Sequence, residues 1–123
     1  MIKHRTLINS FKYALEGLSF AIKYNQNIRI HIVIAILVTI LSFFLKVNHF
    51  EIGILAIMIL LVISTEMINT SIEEMTNLIT NEHSKEAKIA KDVAAGMVLI
   101  TSLGSVAVGV LILLPYILRA LKI

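Results

Sequence analysis

The sequence predicts an all-α integral membrane protein, in which an N-terminal amphipathic interfacial helix precedes three transmembrane helices. Three observations carry this expectation. Of 123 residues, 58% are hydrophobic and only 15% are charged, against about 25% charge in soluble domains. The mean hydropathy is +0.90. The apolar residues fall into three long runs separated by short polar segments, each run long enough to cross a hydrocarbon core about 30 Å thick. The chain is expected to form one membrane domain, 1–123, with no stretch long enough for a second, soluble one.

Residues 6–28 read as the interfacial helix. Leu7, Phe11, Leu15, Leu18 and Ile22 recur on one face, and Asn9, Lys12, Glu16 and Lys23 fall elsewhere. Such a pattern suits a helix lying in the headgroup region; packing against other helices is the alternative. The first span covers about 30–47. Asn48 follows as a helix cap, with Glu51 three residues on in capping-box spacing. The second span runs from about 52 to 80 and turns polar in its last turns. Some 29 helical residues measure roughly 43 Å, more than the hydrocarbon core, so the polar end must project toward headgroups or water. A polar loop with Ser84 as a possible cap leads into the third span, about 85–118. There Thr101, Ser105 and Gly109 recur every four residues, a spacing of small residues that lets helices approach closely. Three helices enclose little, so oligomerisation is expected.

The basic residues predict the orientation. Lys3, Arg5, Lys12, Lys23 and Arg29 lie in the N-terminal segment, and Lys85, Lys88 and Lys91 follow the second span. Only Lys46 lies between the first two spans. The positive-inside rule makes the N-terminal side cytoplasmic, with Arg119 and Lys122 opposite and outnumbered. The net charge of +3 is then better matched to anionic lipid than to nucleic acid. No cysteine is present, which removes disulfides and thiolate metal sites. Residues 1–10 lack the apolar core and small-residue cleavage site of a signal peptide.

Glu66, Asn69 and Glu73 fall on one helical face at the mouth of the second span, and Asn77 extends the stripe. Ionisable groups there are expensive, about 2.5–3.5 kcal/mol at a helix centre on insertion scales, and usually functional. Asn25, Glu82, His83, Lys91 and Asp92 are expected on the same side. Hard oxygen donors with a lysine suit Mg²⁺ and phosphate. A carboxylate just inside the bilayer suits proton removal from a lipid hydroxyl. Together they describe phosphoryl transfer from a water-side donor to a membrane-side acceptor. No phosphate-binding Gly-rich loop or soluble-kinase element is present. The histidines His4, His31, His49 and His83 show no ligand spacing, and a lone interfacial histidine is more often a polar anchor; His83 is the exception because it lies in the acidic loop. The plainer readings are a solvated helix end for Glu73-Glu74, headgroup contacts for Lys88 and Lys91, and an interhelical hydrogen bond for Asn69.

The run Glu66-Met67-Ile68-Asn69-Thr70-Ser71-Ile72-Glu73 and the run Ala90-Lys91-Asp92-Val93-Ala94-Ala95-Gly96 together resemble the prokaryotic diacylglycerol kinase family. The run from Ala90 to Gly96 resembles its Gram-positive undecaprenol kinase branch, as do Asn27-Ile28-Arg29-Ile30-His31 and the run from Ser10 to Leu18. The resemblance covers nearly the whole chain. It implies a homotrimer in the bacterial cytoplasmic membrane, with active sites shared between subunits on the cytoplasmic side. It further implies transfer of the γ-phosphate of MgATP to a lipid alcohol, undecaprenol before diacylglycerol. By motif, Glu66 would be the general base, Glu73 a Mg²⁺ ligand, and Lys91 and Asp92 the holders of nucleotide phosphates. Asn69 would sit beside the transferred phosphoryl group, and Tyr13, Glu82, His83 and Ser84 match nucleotide-contacting positions. The family usually has Glu where Asn25 stands, as a second metal ligand, and often Asp where Asn77 stands. Asn25 would then ligate Mg²⁺ through its carbonyl oxygen, more weakly.

Two other function classes compete. A non-catalytic membrane oligomer or pseudokinase is motivated by Asn25 and Asn77. An ion or proton carrier is motivated by carboxylates at membrane depth, but the acids gather at one face and leave no relay across the bilayer.

Overall fold

The computed structural model describes residues 6–80 and 83–123. In chain order these form α1 (Leu7–Tyr24), α2 (Gln26–Phe44), α3 (His49–Ile79) and α4 (Lys85–Ala120), with no strand among the described residues. The helices α2, α3 and α4 are long and apolar enough to cross a membrane. Helix α3 packs most extensively on α4 and also touches α2 and α1.

The joint between α1 and α2 departs from the sequence expectation. The apolar pattern runs on to residue 28, yet α1 stops at Tyr24 and α2 begins at Gln26. Asn25 makes the break. Its extended backbone ends α1, its N–H still donating to the Ala21 carbonyl at 2.9 Å, while its Oδ1 accepts from the N–H groups of Asn27 (2.9 Å) and Ile28 (3.4 Å). A side-chain oxygen on those two amides is how a helix start satisfies donors that have no partner within the helix. Arg29 does the converse for α1, its Nη1 donating to the carbonyls of Ile22 (2.9 Å) and Lys23 (2.6 Å). Side chains four residues apart thus cap both helices at one corner, which hydrophobic periodicity does not reveal.

The other turns follow capping chemistry. Asn48 Oδ1 accepts from Glu51 N–H at 2.8 Å, as the spacing predicts. The reciprocal half of the capping box is absent. Glu51 Oε2 instead accepts from the Tyr116 hydroxyl at 2.6 Å, and that hydroxyl accepts from Asn48 N–H at 3.3 Å. Tyr116 therefore ties the start of α3 to the end of α4. Beside it, Val47, Leu55 and Leu113 form the main apolar cluster, with Leu41 and Ile117 packed against them. Helix α2 ends with Lys46 at φ 56°, Lys46 N–H on the Phe43 carbonyl and Val47 N–H on the Ser42 carbonyl, the left-handed C-terminal turn usually given to glycine. Ser84 Oγ caps α4 by accepting from Ala87 N–H at 3.1 Å.

Thr101 meets Thr65 across α3 and α4, Oγ1 to Oγ1 at 3.0 Å. Within the single chain the rest of the small-residue stripe makes no close crossing. A Cβ placed on Gly109 would meet no heavy atom within 4 Å, and Ser105 and Gly109 line an apolar groove of about 370 Å³. Much of the apolar surface, Phe44 and Leu111 included, is exposed in the single chain, as it must be where lipid or another subunit is the solvent.

Candidate active site

Polar groups at the α1–α2 corner and on the facing turns of α3 and α4 form the site. Its deepest member is Glu66, 1% exposed. Asn25 Nδ2 donates to Glu66 Oε2 at 3.3 Å and to Thr70 Oγ1 at 2.7 Å, and the Thr70 hydroxyl donates to the Glu66 carbonyl at 3.0 Å. His31 Nε2 stands 3.4 Å from the other carboxylate oxygen, Oε1. A buried carboxylate without partners would be strongly disfavoured, and these contacts supply the partners.

One turn further along α3, Asn69 Nδ2 donates to Glu73 Oε1 at 3.3 Å. Asn69 Oδ1 is buried and has no hydrogen-bond partner. Buried acceptors are almost always satisfied, so this oxygen is an open coordination or donor-accepting position beside a carboxylate. Nearer the polar end, Lys91 Nζ donates to Asn77 Oδ1 at 2.7 Å. A neutral amide orients the ammonium without cancelling its charge. Lys88 pairs with Asp92 at 2.5 Å. These two lie in the polar first turns of α4, ahead of its apolar stretch, and the hydrogen bond that Lys88 donates to Asp92, with the carboxylate's charge, raises the Lys88 ammonium above the ordinary lysine value. Asn77, His83, Ser84, Lys88, Lys91 and Asp92 share a cavity of about 740 Å³.

The sequence-predicted residues thus fall into two connected groups. Glu66 gathers Asn25 deep in the chain, and Lys91 gathers Asn77, His83, Ser84 and Asp92 around the cavity. The Asn69–Glu73 pair lies between them along α3. Tyr13 is on α1 and half exposed. Glu82 lies outside the described residues.

At two expected site residues the chain's own contacts bear on the expected role. Asn25 turns its carbonyl oxygen to the start of α2. Both acceptor positions of Oδ1 are taken by the α2 cap, and turning the amide over would set NH₂ against two N–H donors. Asp92 does not face an anion by itself, since its carboxylate is bound to Lys88. Sequence reasoning missed Thr70, Lys88 and His31. Thr70 and Lys88 each lie four residues from a predicted site residue, a spacing that places them on the same face. His31 had no such signal, because its partner Glu66 is on another helix.

The prokaryotic diacylglycerol kinase model matches residues 12–113, a span that contains every element of this site. The chain belongs to that family. It is a family of prokaryotic lipid kinases. This chain is 35% identical to the undecaprenol kinase of Bacillus subtilis over 91% of its own length and 94% of that protein's. It is 37% identical to a diacylglycerol kinase of Synechocystis sp. over 89% of its length, and spans 63% of that protein. A diacylglycerol kinase of Haemophilus influenzae is 34% identical over 76% of this chain and 80% of its own.

Proposed function

We propose that this protein transfers the γ-phosphate of MgATP to a membrane lipid alcohol, undecaprenol by preference, giving undecaprenyl phosphate. The single observation that carries the reading is Glu66, a fully buried carboxylate held by Asn25 and His31 beside an apolar groove. A lone carboxylate at that depth fits removal of a proton from a lipid hydroxyl. The hydroxyl oxygen attacks the γ-phosphorus, the bond to the β–γ bridging oxygen breaks, and ADP leaves with that electron pair. Glu66 accepts the hydroxyl proton.

The donor end is built for phosphates. Lys91, oriented by neutral Asn77, and Lys88, held by Asp92, place two ammonium groups in one cavity of about 740 Å³. They stabilise the charge on transferring phosphoryl oxygens. Tyr13, Glu82, His83 and Ser84 complete the nucleotide contacts by family resemblance. Among the described residues no three His, Asp or Glu side chains converge on one point. A divalent cation would therefore be held by Glu73 and the open Asn69 Oδ1 together with the nucleotide's own oxygens, a hard-oxygen set suited to Mg²⁺. When bound, Mg²⁺ neutralises phosphate charge.

The protein works in the bacterial cytoplasmic membrane as a homotrimer with shared sites, its N-terminus and active site on the cytoplasmic side. Helix α1 lies along the interface, with Leu7, Phe11 and Leu15 exposed on its apolar face. Undecaprenol rests on branch resemblance, to which the near full-length match to the Bacillus enzyme adds. Purified protein given MgATP and either lipid in detergent tests it. Labelled phosphate should pass to undecaprenol faster than to diacylglycerol, and the reverse order would overturn the substrate assignment.

A further inference from the structure

Helix α2 holds the Glu66 carboxylate at two points, and the reaction as proposed accounts for neither. Asn25, at the start of α2, takes Oε2. His31, in its second turn, stands 3.4 Å from Oε1. The His31 side chain is 23% exposed while that of Glu66 is 2% exposed. His31 also lines the apolar groove between α2, α3 and α4, alongside Val62 and Ser102, whereas Glu66 does not. The imidazole therefore meets both the groove and the carboxylate.

Resting on the assignment of Glu66 as base, we propose that His31 is a positioning residue, fixing the plane of the Glu66 carboxylate on the side where the apolar groove opens. The last torsion of a glutamate side chain is broad and nearly two-fold. One lateral hold, from Asn25, leaves the carboxylate free to turn about that contact; a second from the same helix removes that freedom. Proton transfer needs the accepting oxygen within hydrogen-bond reach of the hydroxyl, and small misplacements are expensive in rate. A purely structural His–Glu contact would instead show itself in stability alone.

The test measures kcat and KM for ATP and for lipid in the detergent-purified full chain, for His31→Phe and His31→Gln beside the parent and Glu66→Gln. Glutamine can present an amide N–H near the position of the imidazole Nε2. His31→Phe is expected to lower kcat ten- to a hundredfold with KM for ATP unchanged, the range of a lost polar contact to a charged group. His31→Gln is expected to recover most of that loss. Thermal midpoints identify a variant that fails to assemble, in which case His31→Met replaces Phe as the arm without a donor. Equal kcat in all three histidine forms, or equal losses in the Phe (or Met) and Gln arms, would overturn the inference. If those results came with an inactive Glu66→Gln, the base assignment would stand without it. Full turnover in Glu66→Gln, or none in the parent, would overturn both.

Discussion

Replacing Asn25 by aspartate separates two accounts of the α1–α2 corner. Aspartate keeps the oxygen that caps α2, so the helix start survives. It replaces the Nδ2 donor with an oxygen 3.3 Å from Glu66 Oε2. Two unit charges at that distance repel by about 5 kcal/mol at an effective dielectric constant near 20. The lost hydrogen bond to a charged group adds about 1.5–3 kcal/mol. The carboxylates will turn apart to relieve the repulsion, so the hydrogen-bond loss is the firmer guide. It corresponds to about a ten- to hundredfold fall in kcat. The assay is lipid phosphorylation across a Mg²⁺ titration, with thermal midpoints to confirm assembly. Half-saturating Mg²⁺ should stay where it is while kcat falls. Retained turnover with a several-fold lower Mg²⁺ requirement would refute the reasoning and place residue 25 in the metal shell, as the family resemblance implies.

Three further outcomes follow from the same geometry. Lys91→Met should lower kcat/KM for ATP about tenfold or more with little change in KM for lipid, since it removes a charge-assisted contact to the phosphates and to the transferring oxygens; steady-state kinetics in each substrate check this. Asn77→Asp should raise KM for ATP, by severalfold, because a carboxylate 2.7 Å from Lys91 Nζ cancels charge that the amide leaves intact; tighter ATP binding would contradict this account of Asn77. Lys46→Gly should stabilise the protein by about 1 kcal/mol, read from its thermal midpoint, because Lys46 occupies a left-handed backbone position at φ 56° that disfavours side chains.

Most of the fold was legible because membrane spans are written in composition and length. The caps Asn48 and Ser84 were legible because their chemistry is local. The spans differ from expectation chiefly at their ends: α3 begins at His49, α4 continues to Ala120, and α2 starts at Gln26. The last difference arises because Asn25 and Arg29 redirect the chain within a continuous apolar pattern. The Glu66–Asn69–Glu73 stripe was legible from helical spacing. What stayed hidden was contact between helices. His31 with Glu66, Asn25 with Thr70, and Tyr116 with Glu51 join residues 35, 45 and 65 positions apart, and no single-segment periodicity encodes them. Gly109 shows the converse, since its spacing suggests a tight crossing and the helices leave a groove there.

The most direct test of the central claim is transfer of labelled γ-phosphate from MgATP to lipid by the parent protein and by Glu66→Gln, both shown to assemble. The account predicts label in the lipid with the parent and a loss of at least a hundredfold in the variant, whose amide cannot accept the hydroxyl proton. Comparable labelling by both proteins would remove Glu66 from the chemistry and contradict the account.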